Sequence, residues 1–328
     1  MADLSTTFMG LQLKNPIVPS ASPLSRELVR IKQMAEAGAG AIILYSLFEE
    51  QIEGDTTMLD DVVDNSEYQY AEFIDFFPER SEFRRNEEGY LALIREAKAA
   101  VDIPIIASLN GFNEGDWTHH AREFERAGAD AIELNIYYLP TSAYLTGAQV
   151  ESLYLAILNE VKKHVTIPVA VKLSPFFSSI PHFAKTLEDA GADGLVLFNR
   201  FYQPDLDIEA LNVTRHMTLS TPNEIRVPLH WVAILHGRVR CSLALNTGVH
   251  TTEDIVKSLM VGADVVNVCS VLLRDGIGSI TELRDGLNTW LDDHQYASVA
   301  AIQGILSLKS CPSPAAFERA NYVQLLQA

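Results

Sequence analysis

The chain has 328 residues, with 25 Lys+Arg against 43 Asp+Glu, a formal net charge of −18, and 48% apolar residues. This composition excludes disordered, collagen-like and coiled-coil chains, and the length allows one domain or two. The excess of carboxylates argues against a nucleic-acid or anionic-membrane partner, since both present phosphate charge that would be repelled, but it leaves room for a small anionic ligand held at a local positive site. Cys241, Cys269 and Cys311 are an odd number without C-x-x-C spacing, which predicts neither a disulfide framework nor a zinc site. The opening Met1-Ala2-Asp3-Leu4 lacks a basic stretch before an apolar run, so no secretory leader is expected. Apolar runs stay short of the roughly 18–20 residues a bilayer span needs. The expectation is a soluble cytoplasmic protein.

Short continuous apolar runs recur along the chain. In order they are Pro16–Ala21, Ala41–Tyr45, Ile103–Ser108, Ala131–Ile136, Ile167–Leu173, Gly194–Phe198, Cys241–Leu245 and Asp264–Val268. Runs without polar alternation fit strands covered on both faces, as in a parallel sheet. Amphipathic stretches of helical length separate them: Arg26–Ala37, Tyr90–Val101, Asp116–Ala127, Ala148–Val165, Ile180–Ala190, Thr252–Val261 and Ile280–Leu291. One joint repeats where helix gives way to strand: Ala37-Gly38-Ala39-Gly40, Ala127-Gly128-Ala129-Asp130, Ala190-Gly191-Ala192-Asp193 and Val261-Gly262-Ala263-Asp264. Glycine suits a left-handed helix C-cap, and the small alanine lets helix and sheet approach. About eight βα units predict a (β/α)8 TIM barrel, read as a single domain over 1–328. A doubly wound open sheet is the weaker alternative, since no G-x-G-x-x-G follows the first strand. Two long segments interrupt the rhythm after the second and sixth strands: the acidic, aromatic stretch 48–88, and 200–240, which contains Pro204, Pro222 and Pro228 and predicts a short helix over His230–Gly237. Segments of this kind serve as lids or as interfaces.

In such a barrel, polar residues at the C-terminal ends of strands face the mouth where chemistry takes place. Here they include Ser20, Ser22, Tyr45, Ser46, Asn110, Glu133, Asn135, Lys172, Ser174, Asn199, Arg200, Asn246, Thr247, Asn267 and Ser270. Lys172 ends the apolar run Val169-Ala170-Val171, where a lysine is costly unless it meets an anion, loses its proton or snorkels past the rim. Two chemistries suit it: imine formation with a carbonyl substrate, as in a lyase or aldolase, or stabilisation of negative charge on a cofactor ring. Asn135 and Asn199 can each donate and accept along the edge of a planar heterocycle, although asparagine is also common at strand ends as a turn residue. Tyr137 and Tyr138, just beyond the fourth strand, are candidates for moving a proton, or for aromatic packing. The loops Asn246-Thr247-Gly248-Val249 and Val268-Cys269-Ser270 occupy the place of a barrel's phosphate grip. His119 and His120 fall on a predicted helix without metal-ligand spacing, so no metal is expected.

Taken together, these segments resemble the flavin-dependent dihydroorotate dehydrogenases, particularly the soluble class. The likeness runs through Asn15-Pro16-Ile17-Val18-Pro19-Ser20-Ala21-Ser22, Glu133-Leu134-Asn135, Val171-Lys172-Leu173-Ser174-Pro175, Asn199, Thr247-Gly248-Val249, the joint Val261–Asp264 and Tyr296-Ala297-Ser298-Val299-Ala300. The resemblance implies an FMN-dependent oxidoreductase that converts dihydroorotate to orotate in pyrimidine biosynthesis, as a cytoplasmic homodimer. It implies FMN contacts from Ala21, Ser22, Ser46, Asn110, Asn135, Lys172, Asn199, Thr247, Gly248, Cys269 and Ser270. It further implies that Asn135, Asn199 and Arg200 hold the substrate, dihydroorotate or another planar heterocycle, and that Lys172 with Tyr137 or Tyr138 is catalytic. The sequence also departs from the family. The family's Cys or Ser base is absent, the matching stretch reading Ile136-Tyr137-Tyr138-Leu139-Pro140; its lysine at the end of the second strand reads Tyr45, and its Gly-Gly and Gly-Thr phosphate pairs read Thr247-Gly248 and Cys269-Ser270. A non-catalytic barrel that binds FMN, or serves a partner through 48–88, is the third reading.

Overall fold

The computed structural model describes residues 2–48, 86–111, 117–200, 204–214, 218–312, 314 and 317. Thr6–Phe8 (β1) and Leu11–Leu13 (β2) form an antiparallel hairpin. Then come Ile17–Pro19 (β3), Ile42–Phe48 (β4), Ile105–Gly111 (β5), Ala131–Ile136 (β6), Val169–Leu173 (β7) and Gly194–Leu197 (β8). A second hairpin, Asp205–Asp207 (β9) with Asn212–Thr214 (β10), precedes Ser242–Leu245 (β11) and Val265–Val268 (β12). The helices are Leu28–Glu36 (α1), Asn86–Ala100 (α2), Trp117–Ala127 (α3), Gly147–Lys162 (α4), Ile180–Asp189 (α5), Arg226–Leu235 (α6), Thr252–Val261 (α7), Ser270–Asp275 (α8) and Ser279–Asp293 (α9).

Eight strands run parallel in the order β3-β12-β11-β8-β7-β6-β5-β4. The two end strands meet where Gly40 N–H donates to Ile17 O at 2.8 Å, just before β4 begins. The fold is a (β/α)8 TIM barrel, as the alternation of elements predicts. Among the described residues, no helix is long and apolar enough to cross a membrane.

The repeated joint has a physical basis. Gly38, Gly128, Gly191 and Gly262 all take positive φ, ending their helices in the left-handed conformation. In three copies the closing aspartate then accepts an N–H at the start of a neighbouring strand: Asp130 from Ile105 (2.7 Å), Asp193 from Val169 (2.8 Å) and Asp264 from Leu243 (2.7 Å). Lys98, Lys162 and Gln303 bind the same three carboxylates at 2.7, 2.6 and 2.8 Å. The first copy has Gly40 instead, because a Cβ there would stand 2.1 Å from Asn15 O. Asn15 supplies the missing acceptor, taking the Ile17 N–H at 3.0 Å and donating to Gly38 O at 2.7 Å.

Several boundaries differ from the sequence reading. Strands β4 and β5 continue to Phe48 and Gly111, past the predicted ends at Tyr45 and Ser108, because their last polar residues face the barrel interior rather than a loop. The helix expected over His230–Gly237 begins earlier, at Arg226; Pro228 falls in its first turn, where an N–H has no intrahelical partner in any case. The two hairpins and α8 were not anticipated, since elements of three to six residues carry too little periodicity to read. Of the first long segment, residues 49–85 lie outside the described residues.

Removing the Asp193 carboxylate orphans the Val169 N–H at the base of β7 together with Lys162. Asp193→Ala is expected to cost about 1–3 kcal/mol in urea unfolding, and Asp193→Asn, whose amide oxygen can still accept, clearly less.

Candidate active site

Inward-facing residues form stacked layers in the barrel. The lowest consists of Val18, Ile43, Ile106, Ala131, Ala170, Val196, Ala244 and Val265, packed with Phe8, Met9 and Leu13 of the first hairpin. Three small alanines at this level leave space that the hairpin side chains fill, so the bottom of the barrel is sealed by apolar groups. Side chains alternate along a strand, so the next inward positions lie two residues on. At that level the interior turns polar: Ser20, Ser108, Glu133, Lys172, Asn246 and Asn267 are all buried, as is Ser46, where β4 shifts register.

Lys172 and Glu133 occupy the centre of this polar layer. They are 2% and 1% exposed, with Nζ 3.6 Å from Oε1. The same Oε1 accepts from Ser108 Oγ at 3.3 Å, and Ser108 Oγ lies 2.9 Å from Ser46 Oγ. Asn135 Nδ2 reaches Ser46 Oγ at 3.5 Å, and Asn199 Nδ2 donates to Asn135 Oδ1 at 2.7 Å. Tyr90, on α2, clamps Ser108 from outside the sheet: its hydroxyl accepts from Ser108 N (2.9 Å) and donates to Ser108 O (3.2 Å). Burial raises the Tyr90 phenol well above its ordinary pKa, so it acts as a neutral group.

Above the layer, a cleft opens at the C-terminal ends of the strands, with about 1060 Å³ of atom-free space including its mouth. Its walls carry Arg26, Lys172 and Arg200, and no Asp or Glu among the described residues. Arg26 lies 5.3 Å over the ring of Tyr45, within cation–π range. Burial pushes the Tyr45 phenol up against the opposing pull of Arg26, leaving it a neutral donor. Arg200 is tied to Glu224 at 2.9 Å and to Thr218 O. Asn267, 2% exposed, borders the cleft with neither its side-chain oxygen nor its nitrogen hydrogen-bonded among the described residues. An unsatisfied buried carboxamide is costly and calls for a ligand with both a donor and an acceptor.

The structure brings most of the expected residues to this cleft: Ala21, Ser22, Ser46, Lys172, Asn199, Arg200, Thr247, Gly248, Cys269 and Ser270 border it. Asn135 lies below the surface, wholly buried, and acts on the cleft through Asn199. Asn110 is buried beside it, paired in register with Asn135 on the neighbouring strand. Tyr137, buried, and Tyr138, half-buried, do not border the cleft. Sequence reasoning missed Arg26, Tyr90, Ser220 and His250. Arg26 and Ser220 lie in loops without motif character, and Tyr90 reads as a core aromatic on a helix. Outside the cleft, Glu87 on α2 meets His120 Nδ1 at 2.9 Å and His119 Nε2 at 3.5 Å. These three carry metal-ligand types within 4.8 Å of one another, a grouping that sequence spacing did not show.

A buried lysine beneath a cleft at the strand ends, bordered by no carboxylate among the described residues, puts the candidate site where TIM-barrel enzymes carry theirs. The comparisons narrow this class. The family model described as "Dihydroorotate dehydrogenase" matches residues 3–291. The protein named dihydroorotate dehydrogenase B (NAD(+)), catalytic subunit, of Thermoplasma volcanium is 27% identical over 311 residues, covering 93% of this chain and 99% of the relative. The protein of the same name from Methanosarcina mazei is 28% identical over 319 residues, covering 92% and 95%. The NAD-dependent dihydropyrimidine dehydrogenase subunit PreA of Escherichia coli is 23% identical over 336 residues, covering 95% and 78%. The chain belongs to the dihydroorotate dehydrogenase family, and with it to the oxidoreductases that act on CH–CH donors.

The central ion pair gives a double-mutant test. Glu133→Leu alone leaves a buried ammonium without its carboxylate and is expected to cost about 3–5 kcal/mol in urea unfolding. Adding Lys172→Met is expected to recover most of that loss, because the uncompensated charge is then gone.

Proposed function

We propose that this chain is an FMN-dependent dehydrogenase that oxidises a CH–CH bond of a small planar heterocycle, with dihydroorotate the leading substrate and a dihydropyrimidine without the carboxylate the second candidate. The observation that carries the reading is Lys172, a buried cation at the floor of a cleft bordered by no carboxylate among the described residues. The residues present suit a flavin. The unpartnered Asn267 carboxamide matches the alternating donors and acceptors of a fused heterocycle edge, and Lys172 matches its electron-rich side. FMN, when bound, takes up hydride from the substrate. Ala21, Ser22, Ser46, Asn199 and Asn267 would hold its ring, and Thr247, Gly248, Cys269 and Ser270 its phosphate.

Within this reading, Lys172 supplies a fixed positive charge in a water-poor floor, where electrostatic stabilisation is strongest. Asn199, braced by Asn135, orients the substrate, and Arg200, braced by Glu224, closes the same side. Tyr137 and Tyr138 are not among the residues that border the cleft, and this reading assigns the proton to neither. Family membership and the ion pair with Glu133 favour this reading over imine chemistry, which needs a free amine at Lys172. The resemblance supports a single domain over 1–328, a homodimer, a cytoplasmic setting and a place in pyrimidine biosynthesis. Relatives named as catalytic subunits support an electron acceptor in a separate chain. Cys241, Cys269 and Cys311 lack the spacing of an iron–sulfur motif, so a cluster would also belong to such a chain.

The purified protein is expected to show visible flavin absorption that bleaches anaerobically on adding dihydroorotate; bleaching by a dihydropyrimidine instead would name the second substrate. Lys172→Met is expected to retain the flavin band and slow bleaching by about 10²–10³-fold. A colourless protein that takes up no FMN, or an unchanged bleaching rate in Lys172→Met, would overturn the reading.

A further inference from the structure

Beside the cleft, at the start of α8, four side chains are linked in series. Arg274 Nη1 lies 3.2 Å from His250 Nδ1, and His250 Nε2 lies 3.2 Å from Ser220 Oγ. Ser220 Oγ is 2.9 Å from Ser270 Oγ, and Ser220 N–H donates to the same Ser270 oxygen at 3.1 Å. His250 and Ser220 are both buried, and the His250 backbone is pinned by its N–H to Asp254 Oδ2 at 3.0 Å.

The direction of every link follows from what each group can do. A guanidinium has only donors, so His250 Nδ1 must accept, and the imidazole proton sits on Nε2. Nε2–H therefore donates to Ser220 Oγ, and Ser220, with a lone pair engaged, passes its own proton to Ser270. Ser270 Oγ then accepts twice, from the Ser220 hydroxyl and the Ser220 amide. Both of its lone pairs are taken, and its one remaining capacity is to donate. Ser270 borders the cleft, and among the described residues no acceptor takes that proton. Burial first, and the Arg274 charge second, hold the His250 pKa below its ordinary value and keep the ring in this neutral form. Arg274 is itself held by Asp275, Nε to Oδ1 at 2.9 Å and Nη2 to Oδ2 at 2.6 Å, so the chain orients Ser270 without lending it a free charge; a hydroxyl that can only donate selects an acceptor, and its bond is strongest to an anionic oxygen.

We propose that Arg274, His250 and Ser220 are a positioning relay that fixes Ser270 Oγ as a donor to a phosphomonoester seated in the cleft beside it. The proposal rests on the FMN reading for the identity of that phosphomonoester, while the relay itself recognises the phosphate alone. Where the family resemblance calls for a Gly-Thr pair, this chain has Cys269-Ser270, so the hydroxyl is kept at Ser270 while the glycine is not. Gly248 also lines the cleft, and a Cβ there would stand 2.2 Å from Ile225 N, so its loop lies pressed against the start of α6.

The experiment compares FMN with riboflavin, which differ by the phosphate, by flavin-fluorescence quenching on the flavin-free full-length protein. Inorganic phosphate is followed in parallel by ³¹P line broadening. Ser270→Ala is expected to reduce the preference for FMN over riboflavin by about 10–100-fold, the worth of a hydrogen bond to a charged group. His250→Phe and Arg274→Met are expected to reduce the same ratio by about 3–10-fold with riboflavin affinity unchanged. His250→Gln, whose amide oxygen can accept from Arg274 while its NH₂ donates to Ser220, is expected to restore it. Arg274 is half-exposed, so its variant reports on the relay even if His250→Phe folds poorly. FMN and riboflavin affinities that fall together in the variants, or an unchanged ratio in Ser270→Ala, would overturn the relay and leave the cofactor reading standing. A wild-type protein that ignores both flavins but broadens the phosphate line, with the broadening lost in Ser270→Ala, would uphold the relay and remove the cofactor reading. Wild-type protein that neither prefers FMN nor broadens the phosphate line would overturn the relay.

Discussion

The burial of Lys172 is the constraint around which the barrel interior is organised. Moving an ammonium and a carboxylate out of water costs several kcal/mol per ion, repaid only with good geometry and further hydrogen bonds. Glu133 gives the first partner, and the rest of the polar layer holds Glu133 in place. Ser108 binds its carboxylate, Tyr90 fixes Ser108 from the helix side, and Ser46 links Ser108 to Asn135 and so to Asn199. Four neighbouring strands, the loop after β8 and one helix thus contribute to a single network with a cation at its centre. The first hairpin belongs to the same solution, because Phe8, Met9 and Leu13 close the barrel from below and keep water from screening the pair. A positive charge held this rigidly needs no reorganisation when negative charge develops above it, which is the form of electrostatic assistance that costs least at the moment of reaction.

The charge distribution supports the same conclusion at a larger scale. The chain carries a net charge of −18, yet the cleft it builds is bordered by Arg26, Lys172 and Arg200 and by no carboxylate among its described residues. Fields from surface carboxylates fade over a Debye length of about 8–10 Å at ordinary ionic strength, whereas buried cations act at contact with little screening. An anionic ligand is therefore selected by the local site and not steered by the whole protein. Surface acidity and anion recognition are compatible because they act at different ranges.

Much of this was legible before any coordinates. The repeated joints ending in Asp130, Asp193 and Asp264 marked the βα units, and each proved to be a carboxylate that ties down an N–H at the start of a neighbouring strand. Polar residues ending apolar runs marked the mouth, and Lys172 stood out because its cost in such a place demands an anion. Sequence spacing is blind to partners brought together by closure of the barrel. Glu133 and Lys172 are 39 positions apart and meet because β6 and β7 pair in register, with Asn135 opposite Lys172. Tyr90 carries a core aromatic's pattern on its helix, and nothing in that pattern says its hydroxyl reaches Ser108. The hairpin that plugs the barrel is three residues per strand, too short to show a period. The expectation for Tyr137 and Tyr138 came from position after a strand, and position alone does not say which way a loop turns.

The departures from the family share a physical pattern. The barrel's lower layers are fixed by packing, where a change of one methylene is felt, while loops at the mouth vary at little cost. The strand-end lysine of the family becomes Tyr45, and a cation returns from the adjacent turn as Arg26, whose loop is fastened to β4 by Tyr45 N–H donating to Ser25 Oγ at 2.7 Å. In the loop after β12, Cys269-Ser270 stands where the resemblance calls for Gly-Thr, and the Ser270 hydroxyl is held by Ser220, delivered by the long segment after β8. In both places a group on or beside a strand end has been exchanged and a neighbouring loop carries the chemistry in its stead. The polar floor of Glu133 and Lys172 lies beneath these exchanges and is held by the sheet, so divergence of this kind can reshape the cleft without disturbing the buried charge under it.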